Sequence, residues 1–125
     1  ASTESGAEEH QPRLLLSTYS ATTAFLASGT PGTLAMLKVL QEKNPGHVKL
    51  VGFGFNLTPE VATALESGVM SGWIAQMPKE IGLKGVAAAL SLAKGEDVPP
   101  IVYTDFIVIT KDNLKDAKPQ ALLGQ

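Results

Sequence analysis

Three short segments hold the side chains whose types suit contact with a small polar molecule: Ser28-Gly29-Thr30, Gly54-Phe55-Asn56 and Gln76-Met77. A hydroxyl and two amides can donate and accept hydrogen bonds with hydroxyls and carbonyls. Gly29 and Gly54 let the backbone approach a ligand closely. The set holds no acid, no base and no nucleophile paired with a base. Its chemistry is recognition, with no catalytic residue. Taken singly, each of these residues serves equally as a turn or cap residue, and only their shared position at three strand ends groups them.

Other chemistries find no support. Gly52-Phe53-Gly54 follows a strand, as a dinucleotide fingerprint would, but Leu57 stands at the third glycine position and no acidic residue ends a following strand. A phosphate loop is absent, so no nucleotide cofactor is expected. His10 and His47 read as solvated surface residues away from any strand's carboxyl end, and no His, Asp or Glu set has metal spacing. With 0 cysteines, disulfides, thiolate metal sites and a Cys nucleophile are all excluded. Asn56-Leu57-Thr58 fits a glycosylation acceptor and a helix cap equally well. Trp73, Met36, Met70 and Met77 read as core packing, and Lys79, Glu80 and Lys84 as a solvated helix face.

These side chains need elements to hold them. Thr22 to Ser28 reads as a strand stopped by Gly29, and Pro31-Gly32-Thr33 opens a helix with apolar Leu34, Leu37, Val39 and Leu40 before Asn44-Pro45-Gly46 ends it. Val48 to Phe55 is a second strand. Thr58-Pro59-Glu60 caps a helix that Gly68 closes. Gly72 to Gln76 is a third strand, and Pro78 starts a helix running to Lys94, with Ile81, Val86 and Leu90 at helical spacing. Ile101 to Thr110 reads as a longer strand, and Asp112 to Ala117 as a short helix. Residues 1 to about 12 are polar, lack periodicity and read as a flexible tail. Strands alternating with helices over such short connections predict an α/β fold with parallel strands and right-handed crossovers. The carboxyl ends of such strands are where ligands bind.

Composition narrows the partners. The chain has 125 residues, 44% of them apolar and 18% charged, as in an ordinary globular domain. A net charge of −2 without a basic cluster gives no electrostatic basis for nucleic-acid binding. No apolar run approaches the ~18 residues that span a bilayer, so no membrane insertion is expected.

The stretch LVGFGFNLTPEVATALESGVMSGWIAQMPKEIGLKGVAAALSLAKGEDVP resembles the C-terminal part of the type I periplasmic sugar-binding proteins, the ribose-binding-protein-like family. That family shows a strand ending V-G-F-D, then a strand ending I-A-Q, then P-x-x-x-G and a helix ending K-G-E. AFLASGTPGTLAMLKVLQ resembles its preceding unit, in which a strand ends in Asn-Asp. The resemblance covers residues 22 to 115 and places Gln76 where the family hydrogen-bonds the sugar. Gly54 falls where the family has a ligand-binding Asp, and Gly29 and Thr30 fall on its Asn-Asp pair. Asn56 stands near enough to Gly54 to replace the lost polar group.

The resemblance implies a Rossmann-like parallel-sheet lobe of a periplasmic-binding-protein fold, incomplete without an N-terminal portion. Residues 13–77 would form the C-terminal-lobe unit, and 78–98 a crossover helix packed on the missing N-terminal lobe. Residues 99–125 would be the returning strand and tail. The implied function is capture of a sugar-like or polyol-like molecule between two lobes in the periplasm, for delivery to an ABC permease. The complementing portion would be the rest of the same protein or a separate chain, making this chain a cleaved fragment, an engineered half or one chain of a complex. The alternative is a ligand-sensing effector or co-receptor domain of a signalling or transcriptional regulator.

Overall fold

The computed structural model describes residues 5–43 and 46–123. Their elements are α1 (Ser5–Thr18), β1 (Ala24–Ser28), α2 (Thr30–Lys43), β2 (Lys49–Gly54), α3 (Pro59–Ser67), β3 (Met70–Gln76), α4 (Pro78–Ala93), β4 (Phe106–Ile109) and α5 (Ala117–Gln120). The strands form one sheet in the order β1-β2-β3-β4. β1, β2 and β3 are parallel, as the alternation predicts.

One face of the sheet is the core. The register aligns Ala27 with Gly52, Gly52 with Trp73 and Trp73 with Ile109, so these residues share a face with Phe25, Leu50, Ala75 and Ile107. A bulge between Leu50 and Val51 adds Met70 to that layer. Against it pack Met36, Leu37 and Leu40 of α2 and Val61, Ala64 and Leu65 of α3. Local chemistry sets the ends of α3: the Thr58 hydroxyl accepts from the Val61 N–H, Pro59 opens the first turn, and Gly68 takes the left-handed cap. The Asn44-Pro45 stop expected after α2 lies outside the described residues.

The opposite face is largely uncovered. Leu26 is 72% exposed, Phe106 and Val108 are exposed, and Val51, Phe53 and Ile74 are half-buried. Parallel strands ordinarily carry cover on both faces.

Three expectations are corrected. The last strand is antiparallel to β3 and is only Phe106–Ile109, whereas a parallel strand over 101–110 was expected. The reason is the route of the chain. Lys84 Nζ on α4 donates to the Tyr103 carbonyl at 2.7 Å, and the Asp105 N–H donates to Glu80 Oε2 at 3.2 Å. The returning segment is thereby pinned beside the start of α4, enters the sheet where β3 ends, and must run back along it, Phe106 against Gln76 and Ile109 against Trp73.

The segment read as a flexible tail is helical from Ser5, because α1 is held from outside. Glu9 pairs with Lys38 of α2 and with Arg13 at 2.9 Å, and Arg13 also reaches Glu42. Tertiary contacts of this kind, rather than local propensity, carry most helical stability. Residues 112–116 form turns, in which Asn113 Oδ1 accepts from the Thr110 N–H at 2.8 Å, and the short helix follows at Ala117–Gln120.

Candidate functional site

Because β1, β2 and β3 are parallel, Ser28, Gly54 and Gln76 end at the same edge of the sheet. Neighbouring strands lie about 4.8 Å apart, so the three ends span roughly 10 Å, the scale of a monosaccharide. The first end is a tight turn: Gly29 has φ +84°, Thr33 N–H donates to its carbonyl at 3.1 Å, and Thr33 Oγ1 donates to the same carbonyl at 2.9 Å. That buried hydroxyl also lies 3.3 Å from the Ala27 carbonyl, which ties the end of β1 to the first turn of α2. Thr30, the first residue of α2, is half-buried.

At the second end, Phe55 is 50% exposed and Asn56 is half-buried. At the third, Gln76 closes β3, its backbone paired with Phe106, and its side chain is half-buried. Among the described residues, the side chains of Thr30 and Gln76 make no hydrogen bond. The structure thus gathers Thr30, Gly54, Asn56 and Gln76 along one edge, with Gly29 in the turn beneath Thr30.

Gly54 is the most constrained of them. A Cβ added there would stand 2.5 Å from Thr30 Oγ1 and 2.6 and 2.7 Å from Cη2 and Cζ2 of Trp73. At Gly52 a Cβ would stand 2.5 Å from both Met70 Cε and Thr33 Cγ2, and 2.8 Å from Trp73 Cε3. The Gly-Phe-Gly run is therefore the seat of an indole ring that reaches from β3 across β2. Sequence reasoning placed Trp73 correctly in the core, where it is fully buried, but missed that it borders the site. The signal was present: two glycines on the same face of one strand leave a gap that only a large ring from a neighbour fills.

Ionisable side chains border the third strand end, where Lys79, Glu80, Asp105 and Lys118 line a cavity of about 490 Å³ with Met77 and Phe106. The carboxylates nearby in sequence are engaged elsewhere. Its own backbone N–H, then the Thr58 hydroxyl, hold Glu60 below the usual carboxylate range. Lys84, then the Asp105 N–H, do the same for Glu80. Among the described residues no group of three or more His, Cys, Asp or Glu could hold a metal. His10 and His47 are exposed and line a cavity of about 510 Å³ with Arg13, Lys43 and Leu16, at the amino end of β2 and away from the strand ends. No described helix is long and apolar enough to cross a membrane.

A parallel-stranded lobe with neutral hydrogen-bonding groups at its strand ends defines a ligand-binding class. The sequence agrees: the family described as periplasmic binding protein domain matches residues 6–97, and the chain belongs to that family. It is 33% identical over 97 residues to the ribose import binding protein RbsB of Escherichia coli (strain K12), a match covering 78% of this chain and 32% of that protein. Among solved structures it is similar to an ABC transporter solute-binding protein from Agrobacterium vitis bound with alpha-D-tagatopyranose. There the TM-score is 0.76 at 26% identity, over 93% of this chain and 39% of that one. A carbohydrate transporter solute-binding protein from Agrobacterium radiobacter in complex with D-arabinose matches with TM-score 0.73 and 26% identity, over 98% of this chain and 41% of that one. The chain thus spans about a third of the length of the curated relative.

Proposed function

We propose that this chain is the ligand-binding portion of a solute-binding protein serving an ABC importer, taking up a small neutral sugar-like molecule in the periplasm. The observation that carries this reading is the pair Thr30 and Gln76: two half-buried polar side chains at the carboxyl edge of a parallel sheet, without hydrogen-bond partners among the described residues. Neither polar end is cut off from water, and a hydroxylated ligand would replace that water with direct hydrogen bonds. The role is binding and release, with no bond made or broken by the protein.

Capture would proceed by closure of a second lobe over this edge, by hinge motion of the segments on either side of α4. The exposed apolar face of α4 supports that reading: none of its residues is buried, and Val86 and Leu90 are 62% and 56% exposed. α4 would pack on the complementing lobe, and further helices from the rest of the protein would cover the open face around Leu26 and Val108. The permease would then dock on the closed form.

Calorimetric titration of the full-length protein with D-ribose, D-tagatose and D-arabinose tests the proposal, with Gln76→Ala as the paired variant. The expected result is micromolar or tighter binding of at least one sugar, weakened at least about tenfold by loss of the amide, or ~1.4 kcal/mol. Binding that Gln76→Ala leaves untouched removes the site from this edge.

A further inference from the structure

The cavity of about 510 Å³ at the amino edge of the sheet is lined by His10 and Arg13 of α1, Lys43 at the end of α2, and His47 just before β2. No Asp or Glu lines it, whereas the cavity beside α4 sets Glu80 and Asp105 among its lysines. Among the described residues, the side chains of His10, Lys43 and His47 make no hydrogen bond or ion pair. Arg13 is anchored through Nη2 alone, by Glu9 and Glu42, so the other donors of its guanidinium stay unused.

Leu14, Leu16 and the buried Val48 give the cavity an apolar wall. The carboxyl ends of α1 and α2 meet at this edge and by themselves attract cations. Basic side chains that only capped those helices would donate to their last carbonyls, and among the described residues none of the four does. On α1 those carbonyls have other donors: Leu14 accepts from Ser17 Oγ and Leu15 from the Tyr19 N–H, both at 2.9 Å. The donors around the cavity are therefore left for something outside the chain.

We propose that this cavity is a second binding site, taking a small organic anion with an apolar body and a carboxylate or phosphate head. The head meets Lys43, the unused donors of Arg13 and the imidazole N–H groups through charge-assisted hydrogen bonds. The body lies on Leu14, Leu16 and Val48. A volume of about 510 Å³ falls within the range of small-molecule sites. β2 has 6 residues, so this edge stands roughly 17 Å from the strand ends that carry Gln76, and the two sites fill independently. Because α1, α2 and the start of β2 each contribute, an anion here ties α1 more tightly to the lobe. The inference does not rest on the sugar-binding reading.

Benzoate and phenyl phosphate serve as probes, titrated into the full-length protein, with benzylamine as a cation of similar size. At least one anion is expected to shift the imidazole resonances of His10 and His47 by NMR and to saturate with a Kd of about 1 mM or tighter. Benzylamine is expected to leave those resonances in place. Lys43→Gln/His47→Gln, at two exposed positions, is expected to weaken the anion about tenfold, and Lys43→Arg to retain it. Saturating sugar is expected to leave the anion's affinity unchanged. Equal shifts with benzylamine, failure of both anions to saturate, unaltered affinity in the double variant, or competition with the sugar each overturns the proposal. Absence of sugar binding overturns the proposed function alone, and the comparison of anion with cation still decides this one.

Discussion

Glu80, in the first turn of α4, accepts a hydrogen bond from the backbone N–H of Asp105 at 3.2 Å, and so joins two segments 25 residues apart in sequence. Lys84, one turn on, pairs with Glu80 and donates to the Tyr103 carbonyl. The chain leaves the sheet at Pro78 and re-enters at Phe106, and this clasp holds exit and entry together.

The clasp is pH-sensitive in one direction. Lys84, then the Asp105 N–H, depress the Glu80 pKa from its ordinary 4.5. A depressed carboxylate stabilises the folded state above its unfolded pKa, and the contribution is lost as pH falls through the lower folded value. The Asp105 amide is therefore expected to stay protected from hydrogen exchange above pH 5 and to lose protection progressively below 4.5, with Glu80→Gln showing the low-pH behaviour at neutral pH. Exchange measured by NMR and corrected for the intrinsic pH dependence reads this directly, and a protection factor that stays constant across that range would refute it.

A second clasp holds α1. Lys38, then Arg13, depress Glu9, by the same sign a stabilising contribution above the ordinary carboxylate pKa that disappears as pH falls through the folded value. Lys38 is exposed and Glu9 half-buried at the surface, so added salt should also weaken the pairs. Glu9→Gln is expected to speed exchange of the α1 amides while leaving β2 and β3 unchanged; equal protection in both proteins would show that α1 docks without the charges.

The turn after β1 depends on Thr33 and Gly29. Thr33→Val keeps the shape and deletes a buried hydroxyl that donates to Gly29 and lies near the Ala27 carbonyl, at a cost of about 1 kcal/mol. Gly29→Ala forces a left-handed residue with a Cβ, at about 1–2 kcal/mol. Urea denaturation of the full-length variants reads both, and because these residues hold Thr30 in place, sugar affinity should fall with them.

Leu90 tests the crossover. It is exposed within this chain, yet if α4 packs on a complementing lobe, Leu90→Lys in the full-length protein should cost about 2–3 kcal/mol, the worth of a buried Leu. A thermal or urea midpoint equal to wild type would leave α4 without that partner.

The placement of the candidate residues at the strand ends was legible in the sequence because its signals are local. Glycine and proline mark where strands stop and helices start, so Gly29, Pro59 and Pro78 located three strand ends, and with them Thr30, Asn56 and Gln76. The polar residues stood out because buried parallel strands are otherwise nearly all apolar. The Gly-Phe-Gly run was legible as a departure from a nucleotide motif, but its purpose was not, since the ring that needs both glycines comes from another strand.

The amino-acid sequence by itself determined the order of strands and helices from β1 to α4, the parallel pairing of the first three strands and the edge at which the candidate residues gather, since periodicity, caps and turn residues act over a few positions. Only the tertiary structure decided the reversed direction of β4, the helix at the amino end and the neighbour of Gly54. Each of these turns on a contact between residues far apart in the chain: Glu80 with Asp105, Glu9 with Lys38, and Gly54 with Trp73. Such contacts form only once the sheet and its helices have packed, and no local pattern encodes them.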